Sequence, residues 1–190
     1  MVNGCVKYSM VIVTPSLPKS VRKTVLLIMS SCLSFKIFFI ASIRVSTLSG
    51  EVLSDNTSLI SAGCSLGAYH AVNFAFRYPH LFKKVIGISG RYDLTLQLPF
   101  FNDLFDSYWD ENIYYNMPCQ YIANLWDEGK IKLLQSLEII LVVGKEDAFL
   151  EINHQLSESL HKKNINNILY LMEGEAHKAA YWGKLMQICL

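Results

Sequence analysis

The hydrophobic and polar positions of this chain fall into short apolar runs separated by longer amphipathic stretches. The apolar runs predict buried strands at residues 59–62, 83–89, 138–143 and 167–172. Apolar residues recur at helical spacing over residues 66–77, 150–163 and 181–189. Because strands and helices alternate, we expect an α/β fold with a doubly wound, mostly parallel sheet.

The segment 91–130 interrupts this alternation. Its aromatic side chains are spread among acids and prolines without a regular period. We therefore expect an irregular insertion of short helices and loops over one edge of the sheet. Such a segment either forms the wall of a substrate pocket or packs as an ordinary excursion of the chain, and the sequence leaves both interpretations open.

The front of the chain, residues 1–58, diverges from the pattern. Residues 25–43 are almost continuously apolar, and Lys36 is the one charged residue among them. The run is long enough to cross a bilayer, so a membrane anchor is one interpretation. A secretory signal fits less well, because no cleavage site of small residues follows. We favour two adjacent buried strands, 24–29 and 36–43, since interior strands of parallel sheets are continuously apolar.

Composition narrows the class of protein. A chain of 190 residues, 52% hydrophobic and 17% charged, predicts a single domain over residues 1–190. Its net charge of +1 gives no reason to expect a nucleic-acid partner. The five cysteines are scattered and lack a C-x-x-C pair, which argues against a disulfide framework or a zinc site. A reducing compartment such as the cytoplasm fits them better, with a membrane-anchored protein as the alternative.

The stretch between the predicted strand 59–62 and the predicted helix 66–77 carries a G-x-S-x-G motif centred on Ser65. In this strand–turn–helix context, the motif is typical of a nucleophile elbow. Gly63 and Gly67 leave room for a sharp turn, and the Leu66 N–H at the helix start can face a developing oxyanion. Cys64 is interpreted as a packing residue that points away from the exposed position. The alternative for Ser65 is a tight turn with a buried serine.

Two further candidates follow later strands. Asp147 comes after the strand 138–143, and His177 comes after the last predicted strand. Functional side chains gather at the carboxyl ends of parallel strands, and the chain order Ser, Asp, His is the one expected of this hydrolase architecture. His177 would accept the Ser65 proton and return it to the leaving alcohol, while Asp147 would hold the imidazole in the correct tautomer.

Other acids and histidines compete for these roles. Glu146 lies beside Asp147, and Asp93 follows the preceding strand. Asp147 is preferred because the next predicted strand after it is the last one, which His177 follows. The remaining histidines lie in predicted helices or in a helix-ending turn: His70, His80, His154 and His161. We therefore favour Asp147 and His177.

Four stretches within residues 59–182 carry a resemblance: GCSLGAYHAVNFAFRYPHLFKKVIGISGRYDL, YWDENIYYNMPCQYIANL, VVGKEDAFLEINHQLSESLHKKNI and GEAHKAAYW. They resemble the esterase family of the α/β-hydrolase superfamily, which includes S-formylglutathione hydrolase-like and feruloyl-esterase-like enzymes. The resemblance implies an α/β-hydrolase fold with nucleophile Ser65, acid Asp147 and base His177. Lys178 stands where family members usually have an aspartate after the histidine.

The resemblance weakens towards the front of the chain. Residues 10–16 look like the family's strand and oxyanion loop, but Leu17, Pro18 and Lys19 replace the expected glycines. Proline has no N–H to donate, so Ser16 and Leu17 are the local candidates for a second oxyanion donor. Some N-terminal strands of the family have no counterpart, which predicts a shortened or rearranged N-terminal part.

These observations predict a serine esterase that hydrolyses a small carboxylic ester through an acyl-enzyme, without metal or organic cofactor. The expected partner is therefore a small-molecule ester. The alternative is a catalytically impaired hydrolase-like remnant, or a binding scaffold, that lacks a complete oxyanion hole.

Overall fold

Five parallel strands form the sheet of the computed structural model, which describes residues 24–29, 58–174, 177 and 179–189. The strands are Thr24–Met29 (β1), Ser58–Cys64 (β2), Phe82–Ile88 (β3), Glu138–Gly144 (β4) and Ile168–Met172 (β5). They are ordered β1-β2-β3-β4-β5, and every neighbouring pair is parallel. All carboxyl ends therefore lie along one rim of the sheet.

The helices lie between and after these strands. Their bounds are Leu66–Arg77 (α1), Glu111–Asn116 (α2), Pro118–Tyr121 (α3), Glu128–Gln135 (α4), Leu150–Lys162 (α5) and Ala179–Cys189 (α6). A short 3₁₀ turn, Pro79–Leu81, follows α1, because a proline two residues beyond Arg77 cannot continue the helix. Asp110 and Asp127 start α2 and α4 by accepting hydrogen bonds from the N–H groups of Ile113 and Lys130, both at 2.9 Å.

Successive strand residues point to opposite sides of the sheet, so the buried strand residues fall into two hydrophobic clusters, one on each face. Val85, Ile139 and Leu141 belong to one hydrophobic cluster, which includes apolar residues of α1, α5 and the segment between β3 and β4. Ile86, Ile140 and Val142 belong to a second cluster, in which Leu185, Met186 and Cys189 of α6 pack against the strands. The α/β architecture with a parallel sheet is thus as the sequence predicts.

The front of the chain is described only at β1. This strand has the bounds predicted for the first half of the apolar run 25–43, and it pairs with β2 along its whole length. The predicted strand 36–43, and the residues 10–16 that resemble the family's strand and oxyanion loop, lie outside the described residues. Among the helices of the described ranges, none is long and apolar enough to span a bilayer.

The segment between β3 and β4 contains α2, α3 and α4 joined by irregular stretches. Its buried side chains share the cluster of α1 and α5: Tyr92, Leu94, Ile113, Met117, Ile122 and Leu134. The segment leaves β3 at the same rim as the other strand ends, which places its first residues beside the candidate site.

Candidate active site

Ser65 occupies a strained turn between β2 and α1. Its backbone angles are φ 55° and ψ −122°, a left-handed conformation that is unfavourable for a residue with a side chain. The turn is anchored by the Ser65 N–H, which donates to the Ile88 carbonyl of β3 at 2.8 Å. The Ser65 carbonyl accepts from the N–H groups of Ala68 and Tyr69 at 3.0 and 3.2 Å, which begins the helix.

Gly63, the first glycine of the motif, makes this turn sterically accessible. A β-carbon on Gly63 would lie 2.2 Å from the Gly67 carbonyl oxygen and 2.7 Å from the Ala68 nitrogen. Both distances are far below van der Waals contact, and both neighbours are backbone atoms. Position 63 therefore requires glycine for the helix to approach the strand this closely.

The first N–H of α1 belongs to Leu66. A helix supplies no acceptor for its first N–H groups, and the Ser65 side chain makes no capping hydrogen bond. The Leu66 N–H is thus at the positive end of the helix dipole, beside the serine hydroxyl. The role of this N–H as an oxyanion donor stays a prediction. Ser16 and Leu17 lie outside the described residues.

Asp147 lies in a tight turn at the carboxyl end of β4. The turn is tied to the end of β5, because the Lys145 N–H donates to the Met172 carbonyl at 2.8 Å and the Glu146 N–H donates to the Gly174 carbonyl at 3.2 Å. The Asp147 side chain is fully buried, and its Oδ1 accepts from the Phe149 N–H at 2.9 Å. Glu146, the competing acid, is exposed on the outside of this turn.

His177 faces the Asp147 carboxylate. Its Nδ1 lies 3.7 Å from Asp147 Oδ1, a charge-pairing distance that is longer than a formed hydrogen bond. Burial by itself raises the pKa of Asp147, but His177, the Phe149 N–H and the Ser89 hydroxyl outweigh it and hold the pKa below its usual value. Asp147 is therefore a carboxylate at neutral pH, able to accept from an imidazole N–H.

Ser89 is a residue of the site that the sequence reasoning missed. It directly follows β3, is completely buried, and has a positive φ of 49°. Its N–H donates to the Val142 carbonyl at 2.7 Å, which holds it between β3 and β4. Its hydroxyl lies near the Asp147 carboxylate and lowers the pKa of Asp147, although the two groups do not meet at full hydrogen-bond geometry. The strand-end rule that identified Asp147 also points to Ser89.

Aromatic rings surround the His177 imidazole. The ring centres of Phe101 and Phe149 are each 5.2 Å from the imidazole centre, and that of Trp182 is 5.8 Å away. The His177 side chain is 16% exposed. These rings shield the imidazole from water and restrict its rotation. No periodicity in the sequence distinguishes them from core residues.

The structure brings Asp147 and His177 into contact, and it places Ser65 on the same rim, two strands away from Asp147. Among the described residues, no hydrogen bond joins the Ser65 hydroxyl to His177. Asp93, a competing acid, forms local hydrogen bonds: its Oδ1 accepts from the Thr95 N–H at 2.9 Å and from the Thr95 hydroxyl at 2.5 Å. Burial lowers the pKa of His70, on α1, to about 4.

The neighbouring Cys64 has the environment of a packing residue. It packs against the α6-side cluster, and burial raises the pKa of its thiol to about 12. The thiol is therefore protonated at neutral pH. Within the described residues, no group of three or more His, Cys, Asp or Glu side chains is arranged to hold a metal ion.

Comparison with known proteins gives a family. A family model described as "Putative esterase" matches residues 40–186. No curated protein matches the sequence significantly. Similar solved structures include a ferulic acid esterase, with 21% identity and a TM-score of 0.56 over 70% of this chain and 49% of that protein. Another is an S-formylglutathione hydrolase from Agrobacterium tumefaciens, with 17% identity and a TM-score of 0.50 over 70% of this chain and 46% of that protein. The chain thus spans about half the length of these structures, and they show the fold.

Proposed function

Because the chain belongs to the esterase family whose model covers most of its length, we propose that it is a serine hydrolase that cleaves a small carboxylic ester through an acyl intermediate on Ser65. The observation that carries this proposal is the contact of a buried carboxylate with His177 on the rim that also holds the strained Ser65 turn. The strain at Ser65 supports the proposal, because such conformations persist mainly where function needs them.

The proposed reaction has two halves. Ser65 Oγ attacks the ester carbonyl carbon while its proton passes to His177 Nε2. That proton then passes to the alcohol oxygen as the bond between this oxygen and the carbonyl carbon breaks. Water next attacks the acyl-serine, its proton passes to His177, and the acid leaves as Ser65 recovers its hydrogen. Asp147 stabilises the imidazolium in both halves. The 3.7 Å separation would shorten as His177 gains its charge, since such contacts tighten during the reaction.

The Leu66 N–H is the proposed first oxyanion donor. Ser16 and Leu17 remain the candidates for the second donor, from the front of the chain. Removing one oxyanion donor typically costs about 100- to 1,000-fold in turnover. Turnover therefore depends on residues outside the described ranges, and the rate of labelling at Ser65 is a more direct test than the rate of hydrolysis.

A fluorophosphonate probe tests the proposal. We expect it to label the folded wild-type protein, and we expect Ser65→Ala to abolish labelling. Cys64→Ala, one position away, is the matched control and should label like the wild type. Intact, folded protein that shows no Ser65-dependent labelling would contradict the proposal.

The rival function is a hydrolase-like binding scaffold without turnover. It is favoured by Pro18, which lacks an N–H at the position where the family has an oxyanion loop. A burst assay with p-nitrophenyl acetate separates the two. A burst that is stoichiometric with protein and absent in Ser65→Ala supports the enzyme, whereas Ser65 labelling without any burst supports the scaffold.

Free thiols at Cys64, Cys119 and Cys189 are compatible with the proposed cytoplasmic location.

A further inference from the structure

The residues that follow β3 form a loop that closes on itself beside the candidate site. We call residues 94–104 the Phe101 loop. Its ends are joined by the Leu104 N–H, which donates to the Leu94 carbonyl at 3.0 Å. Its tip is joined by two hydrogen bonds between Leu98 and Phe101, of 2.9 and 3.1 Å. The loop is therefore a defined turn that holds the Phe101 ring in a fixed place.

Arg91 connects this loop to the nucleophile turn. Its backbone N–H donates to the Ser65 carbonyl at 3.3 Å. Its buried guanidinium donates to the carbonyl of Asn102 and, at 3.5 Å, to that of Leu96. The guanidinium also lies 5.8 Å from the Phe101 ring centre, within the range of a cation–π contact. Arg91 thus links the Ser65 turn to the Phe101 loop.

The Phe101 ring contacts the candidate base directly. Its centre is 5.2 Å from the His177 ring centre and 4.6 Å from that of Phe149. The neighbouring Phe100 differs completely, because its side chain is 90% exposed. Of these two adjacent phenylalanines, Phe100 is exposed, whereas Phe101 is partly buried and borders the imidazole.

The position beside the imidazole has a chemical meaning in ester cleavage. His177 Nε2 gives its proton to the leaving alcohol, so the alcohol oxygen must lie at the edge of the imidazole ring when the carbon–oxygen bond breaks. Of the rings that border the imidazole, Phe149 is completely buried, whereas Phe101 is only partly buried and is therefore accessible to the group carried by that oxygen. The acyl group, attached to the Ser65 side of the carbonyl, lies farther from Phe101.

We propose that Phe101 is the alcohol-side wall of the ester site, and that Arg91 is a positioning residue that holds this wall against His177. The proposal rests on the esterase function proposed above. It predicts a substrate class: esters whose alcohol part carries an apolar ring are preferred over methyl esters of the same acid. The ring of such an alcohol packs against Phe101 and is removed from water.

Paired substrates separate the alcohol side from the acyl side. Benzyl butyrate and methyl butyrate differ only in the alcohol, while p-nitrophenyl acetate and p-nitrophenyl butyrate differ only in the acyl group. We expect Phe101→Ala to lower the benzyl-to-methyl ratio of kcat/KM by about tenfold or more, the scale of losing an apolar contact in a pocket. We expect the butyrate-to-acetate ratio to change by less than about twofold.

Matched variants keep the test independent of folding. A ratio of two kcat/KM values does not depend on the fraction of folded enzyme. Phe100→Ala removes the exposed neighbour and should leave both ratios unchanged. Phe101→Leu keeps an apolar side chain and should retain part of the benzyl preference. Arg91→Lys keeps the charge but cannot reach both carbonyls, and it should move the benzyl-to-methyl ratio in the same direction as Phe101→Ala.

The outcomes distinguish this proposal from the proposed function. If the wild type is labelled at Ser65 and turns over esters, but Phe101→Ala leaves the benzyl-to-methyl ratio unchanged, the proposed role of Phe101 is wrong and the proposed esterase function is retained. A shift of the acyl ratio instead would also overturn it, because Phe101 would then border the acyl group. A wild type without ester turnover would overturn both.

Discussion

The α-carbon of Gly63 faces the carbonyl of Gly67 so closely that a β-carbon on Gly63 would lie 2.2 Å from the carbonyl oxygen. The helix after the nucleophile turn therefore packs onto the strand before it through backbone atoms alone. This contact sets where Ser65 stands above the sheet. Five predictions concern the stability and chemistry of the rim that contains it.

Gly63→Ala should destabilise the fold, because the new methyl group meets backbone atoms that cannot move away by rotating a side chain. We expect a loss of at least about 2 kcal/mol in the free energy of unfolding, the upper part of the range for overpacking. Urea unfolding measures it. Gly129→Ala in α4 is the control, since its new β-carbon meets only the Asp127 side chain, at 3.2 Å. It should change the free energy by less than about 1 kcal/mol. Equal effects at both positions would contradict the steric argument.

Asp147→Asn should reduce turnover by about 10⁴-fold, the scale seen when a triad carboxylate becomes an amide. Ester hydrolysis at pH 7 measures it. Glu146→Gln, one residue away on the exposed side of the turn, is the control and should retain activity. Comparable losses in the two variants would mean that the acid has been assigned to the wrong carboxyl.

The same variant has a pH signature in stability. The pKa of Asp147 is lowered in the folded protein, so the folded state is stabilised at pH values above the unfolded pKa of about 3.9. This contribution is lost as the pH falls through the folded pKa. The difference in unfolding free energy between wild type and Asp147→Asn should therefore shrink between pH 5 and pH 2. A difference that grows on acidification would contradict the lowered pKa.

Ser89 gives a test that separates a lost hydroxyl from a strained backbone. Ser89→Ala and Ser89→Gly both remove the hydroxyl that acts on Asp147, but only glycine relieves the positive φ of 49°. We expect kcat to fall equally in both variants, while Ser89→Gly is more stable than Ser89→Ala by about 1 kcal/mol. Stopped-flow kinetics and urea unfolding measure the two quantities. Wild-type kcat in Ser89→Gly would show that the hydroxyl does not hold the acid.

Cys64 should resist alkylation in the native protein. Its thiol has a raised pKa of about 12, so the reactive thiolate is scarce at pH 8. Iodoacetamide followed by peptide mass spectrometry should modify the Cys64 peptide far more slowly in native protein than in protein unfolded by urea. Fast native modification would mean that Cys64 is exposed on the rim and competes with Ser65 as the nucleophile.

The sequence predicts those features that local rules determine. Helix α1 has the predicted bounds, because a strained turn starts it and Pro79 ends it. Asp147 and His177 are predicted as site candidates because parallel strands end on one rim, and the structure places the two side chains 3.7 Å apart there. The same rule extends to Ser89, which directly follows β3, although the apolar pattern predicts it as the last residue of that strand.

The aromatic environment of His177 lies beyond such rules. Phe100 and Phe101 are chemically identical and adjacent, yet one is exposed and the other contacts the imidazole. The difference depends on the Arg91 contacts with two loop carbonyls, which are non-local and have no periodic signal. A lone arginine after a strand appears in the sequence as an ordinary surface charge. Only the folded arrangement shows that it braces a loop.

The order of the strands has a consequence for how the proposed activity would be lost on unfolding. Within the described sheet, β5 pairs with β4 alone, and Ile168, Tyr170 and Leu171 are each about half exposed to solvent. The proposed base follows this outermost strand, whereas Ser65 follows β2, a strand with neighbours on both sides. Local unfolding of the edge strand β5 would release the His177 imidazole while the interior strands stay folded, since edge strands open at a lower free energy than interior strands. Inactivation by denaturant should then precede global melting, so that catalysis reports on the periphery of the sheet.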